Sequence, residues 1–321
     1  MSVAPETLQR LAAIPRVAVQ PNALLSHYTR FGIGGPADAL IETDDEQSFI
    51  AALEVVRSSG IPSAVIGGGT NLVVSDAGFR GLVLRFAGRE IRAEGNRVFA
   101  RAGAELQTLV DFTIDRGLAG LHTMTGIPGS VGAAVYGNAG AYGHSISESV
   151  VSVRFFDGEQ IREFDNAACE FHYRESIFKR RKHWVIFSTE LELTPGDRDE
   201  LRRAADEILA IRNVKYPPTM KCAGSIFKNL LLSEIPAGVR EHVPSRVIRE
   251  GKVPSAYFLE EVGAKGMANG DIRVADYHAN LIYNAGQGTA AQLASVIRDL
   301  KSRVRDRFGL ELEEEVQYVG F

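Results

Sequence analysis

Cysteine is almost missing from this chain. Only Cys169 and Cys222 occur in 321 residues, far apart and in no C-x-x-C arrangement. That excludes a disulfide-stapled scaffold and fits reduced thiols in a reducing compartment. Histidine is also sparse, with seven residues and no H-E-x-x-H or other metal-spaced pair, so no metal is expected. No apolar run approaches the ~20 residues that span a bilayer. The N-terminal stretch around Glu6 lacks the apolar core of a signal peptide. The expected location is the cytoplasm. Positive charge is not in excess either: 36 Lys and Arg against 40 Asp and Glu leave a net charge of −4. Nothing there suggests nucleic acid, although an average does not exclude a local basic pocket for an anion.

With 45% apolar and 24% charged residues, the composition is that of a globular protein. The length suggests about two domains, each large enough to bury a core without staples. Periodicity predicts a short helix over 6–14 and a strand over 37–42. A helix should start at Thr43, which forms a T-x-x-E capping box with Glu46; Phe49, Leu53 and Val56 face inward, and Gly60 stops it. Strands follow at 64–66, 81–86 and 97–101, then a helix with Leu106, Leu109, Val110 and Thr113, ended by Gly117. From Val150 the pattern turns to strands at 151–157, 160–164 and 184–193. A charged helix over about 198–211 carries Leu201, Ala205, Ile208 and Ile211 on one face. The Pro217-Pro218 pair cannot continue it and is the candidate domain boundary. A second α/β unit follows. Its long helix from Thr289 buries Leu293, Ile297, Leu300, Val304 and Phe308, with Gly309 as C-cap. There is no internal repeat and no low-complexity segment.

Glycine is abundant, 32 residues or about a tenth, above the ~7% average. The excess clusters. Gly67-Gly68-Gly69-Thr70-Asn71 follows a strand, so successive N–H groups can approach an anion closely. No G-K-[ST] follows, and the run is not G-x-G-x-x-G opening a helix, so it is neither a Walker loop nor a Rossmann turn. The second cluster runs from Gly126-Ile127-Pro128-Gly129-Ser130-Val131-Gly132-Ala133 to Asn138-Ala139-Gly140-Ala141-Tyr142-Gly143. Such small side chains bury little area, whereas a large flat ligand against the backbone explains them. Two such loops suggest a dinucleotide; tight turns without a ligand are the plain alternative.

Taken in order, these segments resemble the UDP-N-acetylenolpyruvoylglucosamine reductase family, from about His27 to Val319. The stretch His27-Tyr28-Thr29-Arg30-Phe31-Gly32-Ile33-Gly34-Gly35-Pro36-Ala37-Asp38 is its N-terminal mark. Residues 67–81 match G-G-G-[ST]-N-L-[LV]-V-S-D-x-G-F-x-G, residues 126–132 match G-I-P-G-[ST]-V-G, and residues 138–143 match N-A-G-A-Y-G. The resemblance implies an α+β fold: an FAD-binding domain of the vanillyl-alcohol-oxidase type over residues 1–213, in two subdomains split near residue 80. A smaller α/β substrate-binding domain takes residues 214–321, and its last residues are candidates to return to the first subdomain. It implies non-covalent FAD held by Ile66, Gly67, Gly68, Gly69, Thr70, Asn71, Leu72 and Ser75. Gly126, Ile127, Pro128, Gly129, Ser130, Gly132, Ala133, Asn138, Gly140, Ala141 and Tyr142 complete that set.

Three further segments carry over catalytic residues. Tyr173-Arg174-Glu175-Ser176-Ile177-Phe178 matches Y-R-x-S-x-F and implies an active-site Arg174. Ala223-Gly224-Ser225-Ile226-Phe227-Lys228-Asn229 matches A-G-S-x-F-K-N and implies Ser225 as proton donor. Leu312-Glu313-Glu314-Glu315-Val316 matches L-E-x-E-V and implies Glu315. Read alone, each has a plain alternative: a surface ion pair, a turn residue, an acidic solvated face. Together they suit the reduction of an enolpyruvyl ether, which takes a hydride at one alkene carbon and a proton at the other. The implied substrate is UDP-N-acetylglucosamine enolpyruvate, reduced to UDP-N-acetylmuramate for peptidoglycan, with NADPH as co-substrate using the same site in turn. Its diphosphate makes Lys215, Lys228 and Lys265 candidates for substrate binding; Tyr173, Asn229 and His278 join them. No nucleic acid or membrane partner is implied, and the chain is expected to be a monomer.

The chain departs from the family where Leu230 replaces the usual proline. It also adds a stretch over about 231–253, which is either a lid or a surface excursion. No inserted tyrosine loop is visible, which points to the branch lacking it. Two competing readings share the glycine loops: an FAD-dependent sugar or lactone oxidase, and a flavin or UDP-sugar binding protein without catalysis.

Overall fold

The computed structural model describes residues 3–321, and the chain divides into two compact units. The first takes the chain up to Ala23, then Ala37–Gly69 and Arg80–Pro217. The second takes Leu24–Pro36, Thr70–Phe79 and Pro218–Phe321.

The first unit is built on two sheets. One runs in the order Ala18–Pro21, Ala37–Thr43, Phe79–Phe86, Ser63–Ile66, with the last two parallel. The other is antiparallel, in the order Ile161–Asp165, Val150–Phe156, Val185–Glu192, Arg97–Arg101, Ile91–Glu94. Phe49, Phe86 and Phe187 pack at centroid distances of 5.0–5.9 Å, joining the helix Glu46–Ser59 to a strand of each sheet. Each such pair adds ~0.5–1.5 kcal/mol beyond its buried area. The second unit has an antiparallel sheet in the order Lys221–Ser225, His278–Asn284, Ile272–Ala275, Ala268–Asn269. Gln317–Val319 pairs in parallel with Leu72–Val74. The carboxylate of Asp76 accepts from Ala290 N and Ala291 N (2.7 and 2.9 Å), anchoring the N-terminus of the helix Ala290–Phe308.

That helix has the expected Thr289–Gln292 capping box and a left-handed Gly309, and it buries Leu293, Ile297, Leu300 and Val304. Two expectations are corrected. The N-cap of Glu46–Ser59 is Asp45, whose side chain accepts from Ser48 N at 2.9 Å. Thr43 is the buried last residue of a strand, and its hydroxyl accepts from Asp45 N instead. The charged helix runs over Arg198–Lys215, beyond residue 211, and Ile211 is 60% exposed. The packed face follows Leu201 and Ala205 to Leu209 and Arg212, which lie against Gly126. The added stretch 231–253 is closed at its base by Leu230↔Val253 and Leu231↔Lys252 pairing, and Ile235 and Val243 are buried within it.

Asp45→Ala should cost about 1 kcal/mol in chemical denaturation at neutral pH. The Ser48 backbone hydrogen bond holds the Asp45 carboxyl below its ordinary 3.8. The carboxylate's contribution is therefore complete above 3.8 and fades as pH falls through the lowered native value. The stability gap between wild type and Asp45→Ala should shrink over that acidic range.

Candidate active site

In the first unit, Gly67–Gly69 leaves the strand ending at Ile66, and the second glycine loop comes up beside it. A Cβ on Gly68 would lie 3.2 Å from Gly129 Cα and from Ser130 N, so the loops meet backbone to backbone. Gly129 and Gly126 are left-handed, at φ 119° and 76°. Gly132 is glycine for a protein reason, since its Cβ would stand 2.7 Å from that of Ala102. Ser130 caps the helix Val131–Tyr136 by accepting from Ala133 N. Ile127 and Pro128 complete the loop, with Pro128 exposed.

Asn138 to Tyr142 lead into a small hairpin, Gly140–Ala141 against His144–Ser145. Tyr142 and Gly143 both have positive φ at its turn, the backbone that matches strand twist in a two-residue hairpin. The buried Asn138 amide donates to His172 O at 2.8 Å and accepts from Ser147 N at 3.3 Å. Arg174 is itself left-handed, at φ 58°. Its guanidinium donates to Gly140 O at 2.8 Å and lies 5.2 Å from the Tyr173 ring centroid. Lys179 donates to Arg174 O and to Glu175, both at 2.9 Å. Arg174 and the N-A-G-A-Y-G hairpin thus form one hydrogen-bonded group. Lys215 ends its helix beside the Tyr216 ring.

In the second unit, the strand Lys221–Ser225 is irregular between Cys222 and Ser225, with Gly224 at φ 77°. A bulge of this kind re-aims the next side chain, here Ser225. The following residues leave the sheet: Lys228 N donates to Glu313 O (2.9 Å), and Glu315 N donates to Ile226 O (2.8 Å). Phe227 and Glu314 form an isolated antiparallel bridge, so Ser225, the last residue of its strand, lies close along the backbone to the segment that carries Glu315. Asn71 Nδ2 donates to Glu315 O (2.8 Å), and Asn71 O accepts from Gln317 N (2.9 Å). Asn71 therefore holds the segment from Glu315 to Gln317 in place. Leu72 faces Gln317 in the register. Ser75 O accepts from Gly35 N and Gly78 N, and Ser75 N donates to Val319 O. Lys228 is buried, with its ammonium on Glu313, and Asn229 is the next residue. Lys265 pairs with Glu260 at 3.0 Å. His278 Nδ1 accepts from Asn280 N at 3.2 Å.

Sequence reading missed two features. Asn280 clamps Phe227 by accepting from its N–H (2.9 Å) and donating to its C=O (2.8 Å); only its place beside His278 in a family segment hinted at it. The other is the segment entering the second glycine loop. There His122 Nδ1, Thr123 Oγ1 and Thr125 Oγ1 are buried and make no hydrogen bond among the described residues. Burial, with His144 nearby, holds the His122 pKa below its ordinary value. A buried hydroxyl left without a partner costs ~1–3 kcal/mol. Two glycine loops that meet without side chains between them offer bare backbone to a large, flat ligand, as FAD is.

Residues 37–161 match an FAD binding domain, and residues 216–319 match the UDP-N-acetylenolpyruvoylglucosamine reductase C-terminal domain. The chain is 66% identical over 311 residues to UDP-N-acetylenolpyruvoylglucosamine reductase of Solibacter usitatus, covering 97% of this chain and 100% of that one. It is 38% identical to the reductase of Rubrobacter xylanophilus, over 98% of both. Among solved structures, the crystal structure of UDP-N-acetylenolpyruvylglucosamine reductase from Thermus caldophilus superposes with a TM-score of 0.73 at 29% identity, over 95% of this chain and 99% of that one. The α+β architecture is that of a vanillyl-alcohol-oxidase-type FAD domain joined to a smaller C-terminal domain, and the chain belongs to the UDP-N-acetylenolpyruvoylglucosamine reductase family.

Proposed function

We propose that this chain is the FAD-dependent enzyme that reduces UDP-N-acetylglucosamine enolpyruvate to UDP-N-acetylmuramate with NADPH, for peptidoglycan synthesis. The observation that carries the proposal is the 66% identity to a curated reductase along that protein's whole length. The oxidase and binding-protein readings account for the glycine loops but not for this match. No helix among the described residues is long and apolar enough to cross a membrane. A cytoplasmic monomer that binds neither nucleic acid nor membrane is the expected form.

In this reading residues 1–213 bind FAD and residues 214–321 bind the substrate. Bound FAD supplies the hydride chemistry and is recharged by NADPH. The protein positions and polarises. Arg174 stabilises the negative charge that develops on the enolpyruvyl carboxylate side. Ser225 delivers the proton to the neighbouring carbon, and Glu315 orients or activates that hydroxyl. The pairing of Glu315 N with Ile226 O supports their association. Tyr173, Lys215, Lys228, Asn229, Lys265 and His278 serve the nucleotide and diphosphate. Lys228 keeps donors to spare beside its ion pair with Glu313.

The purified protein should be yellow and should release FAD, detected by its fluorescence, on mild denaturation. Colourless protein that takes up no FAD would contradict the cofactor assignment. Ser225→Ala should leave anaerobic flavin reduction by NADPH nearly intact and slow reoxidation by the enolpyruvyl substrate ~10²–10⁴-fold. Stopped-flow measurement of the two half-reactions separates the cases. Equal slowing of both would mean a damaged site, and an unimpaired second half-reaction would return Ser225 to a turn residue.

A further inference from the structure

Arg174 occupies a backbone position that arginine disfavours. Glu175 N donates to His172 O (3.1 Å) and His172 N to Glu175 O (3.0 Å), so residues 172–175 close a tight turn with Tyr173 and Arg174 at its corners. Of the two corners Arg174 is the one with positive φ, 58°. That is the pattern of a type II turn, whose third position ordinarily takes glycine. Glycine would hold this backbone without strain. Arginine holds it only where its neighbours over-determine the conformation, and its presence implies that the side chain is what the position is for.

Lys179 is one of those neighbours. Its ammonium donates to Arg174 O and to the Glu175 carboxylate, both at 2.9 Å. Because the peptide unit is planar, a carbonyl fixed in place fixes the whole unit that follows Arg174, and with it the Arg174 ψ angle. The conformation so held lets the guanidinium reach Gly140 O at 2.8 Å. The Lys179 side chain is 14% exposed, and a lysine is seldom buried to that extent unless it is paired. Its own footing is firm. Lys179 lies on the short helix Ile177–Arg180, capped by Ser176, whose hydroxyl accepts from Lys179 N (3.3 Å) and donates to Tyr136 O (2.7 Å). Phe178 of that helix is fully buried among Phe155 and Trp184. Tyr136 ends the helix Val131–Tyr136, which Ser130 of the second glycine loop caps. The ammonium thus ties the Arg174 backbone to packed structure, whereas an ordinary surface pair with Glu175 would leave Arg174 O out.

We propose that Lys179 is a positioning residue: its ammonium, bonded to the Arg174 carbonyl, holds the strained turn that aims the Arg174 guanidinium. The proposal rests on the role given to Arg174 above, stabilising charge on the enolpyruvyl carboxylate side.

The test uses the FAD-loaded full chain and stopped-flow measurement of the two half-reactions. Lys179→Met should leave flavin reduction by NADPH nearly intact. It should slow reoxidation by the enolpyruvyl substrate ~10–10²-fold, the scale of a group displaced by about 1 Å. In steady state kcat should fall more than KM rises. Lys179→Arg keeps a charged donor and should recover most of the rate, and Glu175→Gln, which spares the bond to Arg174 O, should cost little. The melting temperature of Lys179→Met should fall little, because the released turn sheds strain as it loses the bond. In a crystal structure of that variant Arg174 should have left its positive φ and its contact with Gly140 O. In an Arg174→Ala background Lys179→Met should slow reoxidation no further, the signature of two residues acting as one. Additive slowing in that background would overturn the proposal, as would equal slowing of both half-reactions. So would Glu175→Gln as slow as Lys179→Met, which points to the ion pair, or an unmoved Arg174 in the methionine variant. Should methionine prevent folding, Lys179→Gln carries the same comparisons with a shorter, neutral donor. If Arg174→Ala alone left reoxidation at the wild-type rate, the role of Arg174 itself would fail instead.

Discussion

The buried amide of Asn280 holds the segment that follows Ser225 in the second unit in shape. Its side chain takes both backbone groups of Phe227, its C=O accepts from Ile226 N (3.1 Å), and its N–H donates to His278 Nδ1. Past the Gly224 bulge, residues 226–228 have left the sheet, and without Asn280 the Phe227 backbone groups would be buried with no strand opposite. Because this amide stands in for that strand, the other side of the segment is available to pair with Glu313–Glu315. The placing of Ser225 beside Glu315 follows. At 2% exposure, the amide works in a medium where an unmade hydrogen bond is costly, which makes the arrangement rigid.

The first unit uses glycine in two ways that composition alone does not separate. Gly68 and Gly132 admit protein: one lets two loops touch, the other lets a helix sit on Ala102. Gly126, Gly129 and Gly143 accommodate left-handed backbone. The glycine-rich run therefore serves close packing and turning of the backbone. Arg174 adds strain of its own, since a left-handed arginine persists only where surrounding contacts over-determine it. Here Gly140 O, the Tyr173 ring and Lys179 supply them.

Ion pairing tempers the electrostatics of the second unit. Lys228 and Lys265 are each matched by a glutamate, so neither is a bare cation waiting for phosphate.

The sequence alone determined the elements with strong periodicity or punctuation. The helix Ala290–Phe308 with its capping box, the strands flanking the glycine loops and the family segments were all legible, because each is encoded within a few consecutive residues. It misassigned the cap at Thr43 because Asp45 competes for the same role, and burial of the Thr43 side chain is a tertiary fact. It put Ile211 inside because a helix stripe has no fixed phase until a neighbour defines it, and that neighbour is Gly126. Only the tertiary structure decided that Asn280 completes Phe227 across 53 residues of chain, that Asn71 braces Glu315, and that the Thr123 and Thr125 hydroxyls are buried without partners. These are long-range hydrogen bonds or their absence, and hydrogen bonding between distant residues leaves no periodic trace in a sequence.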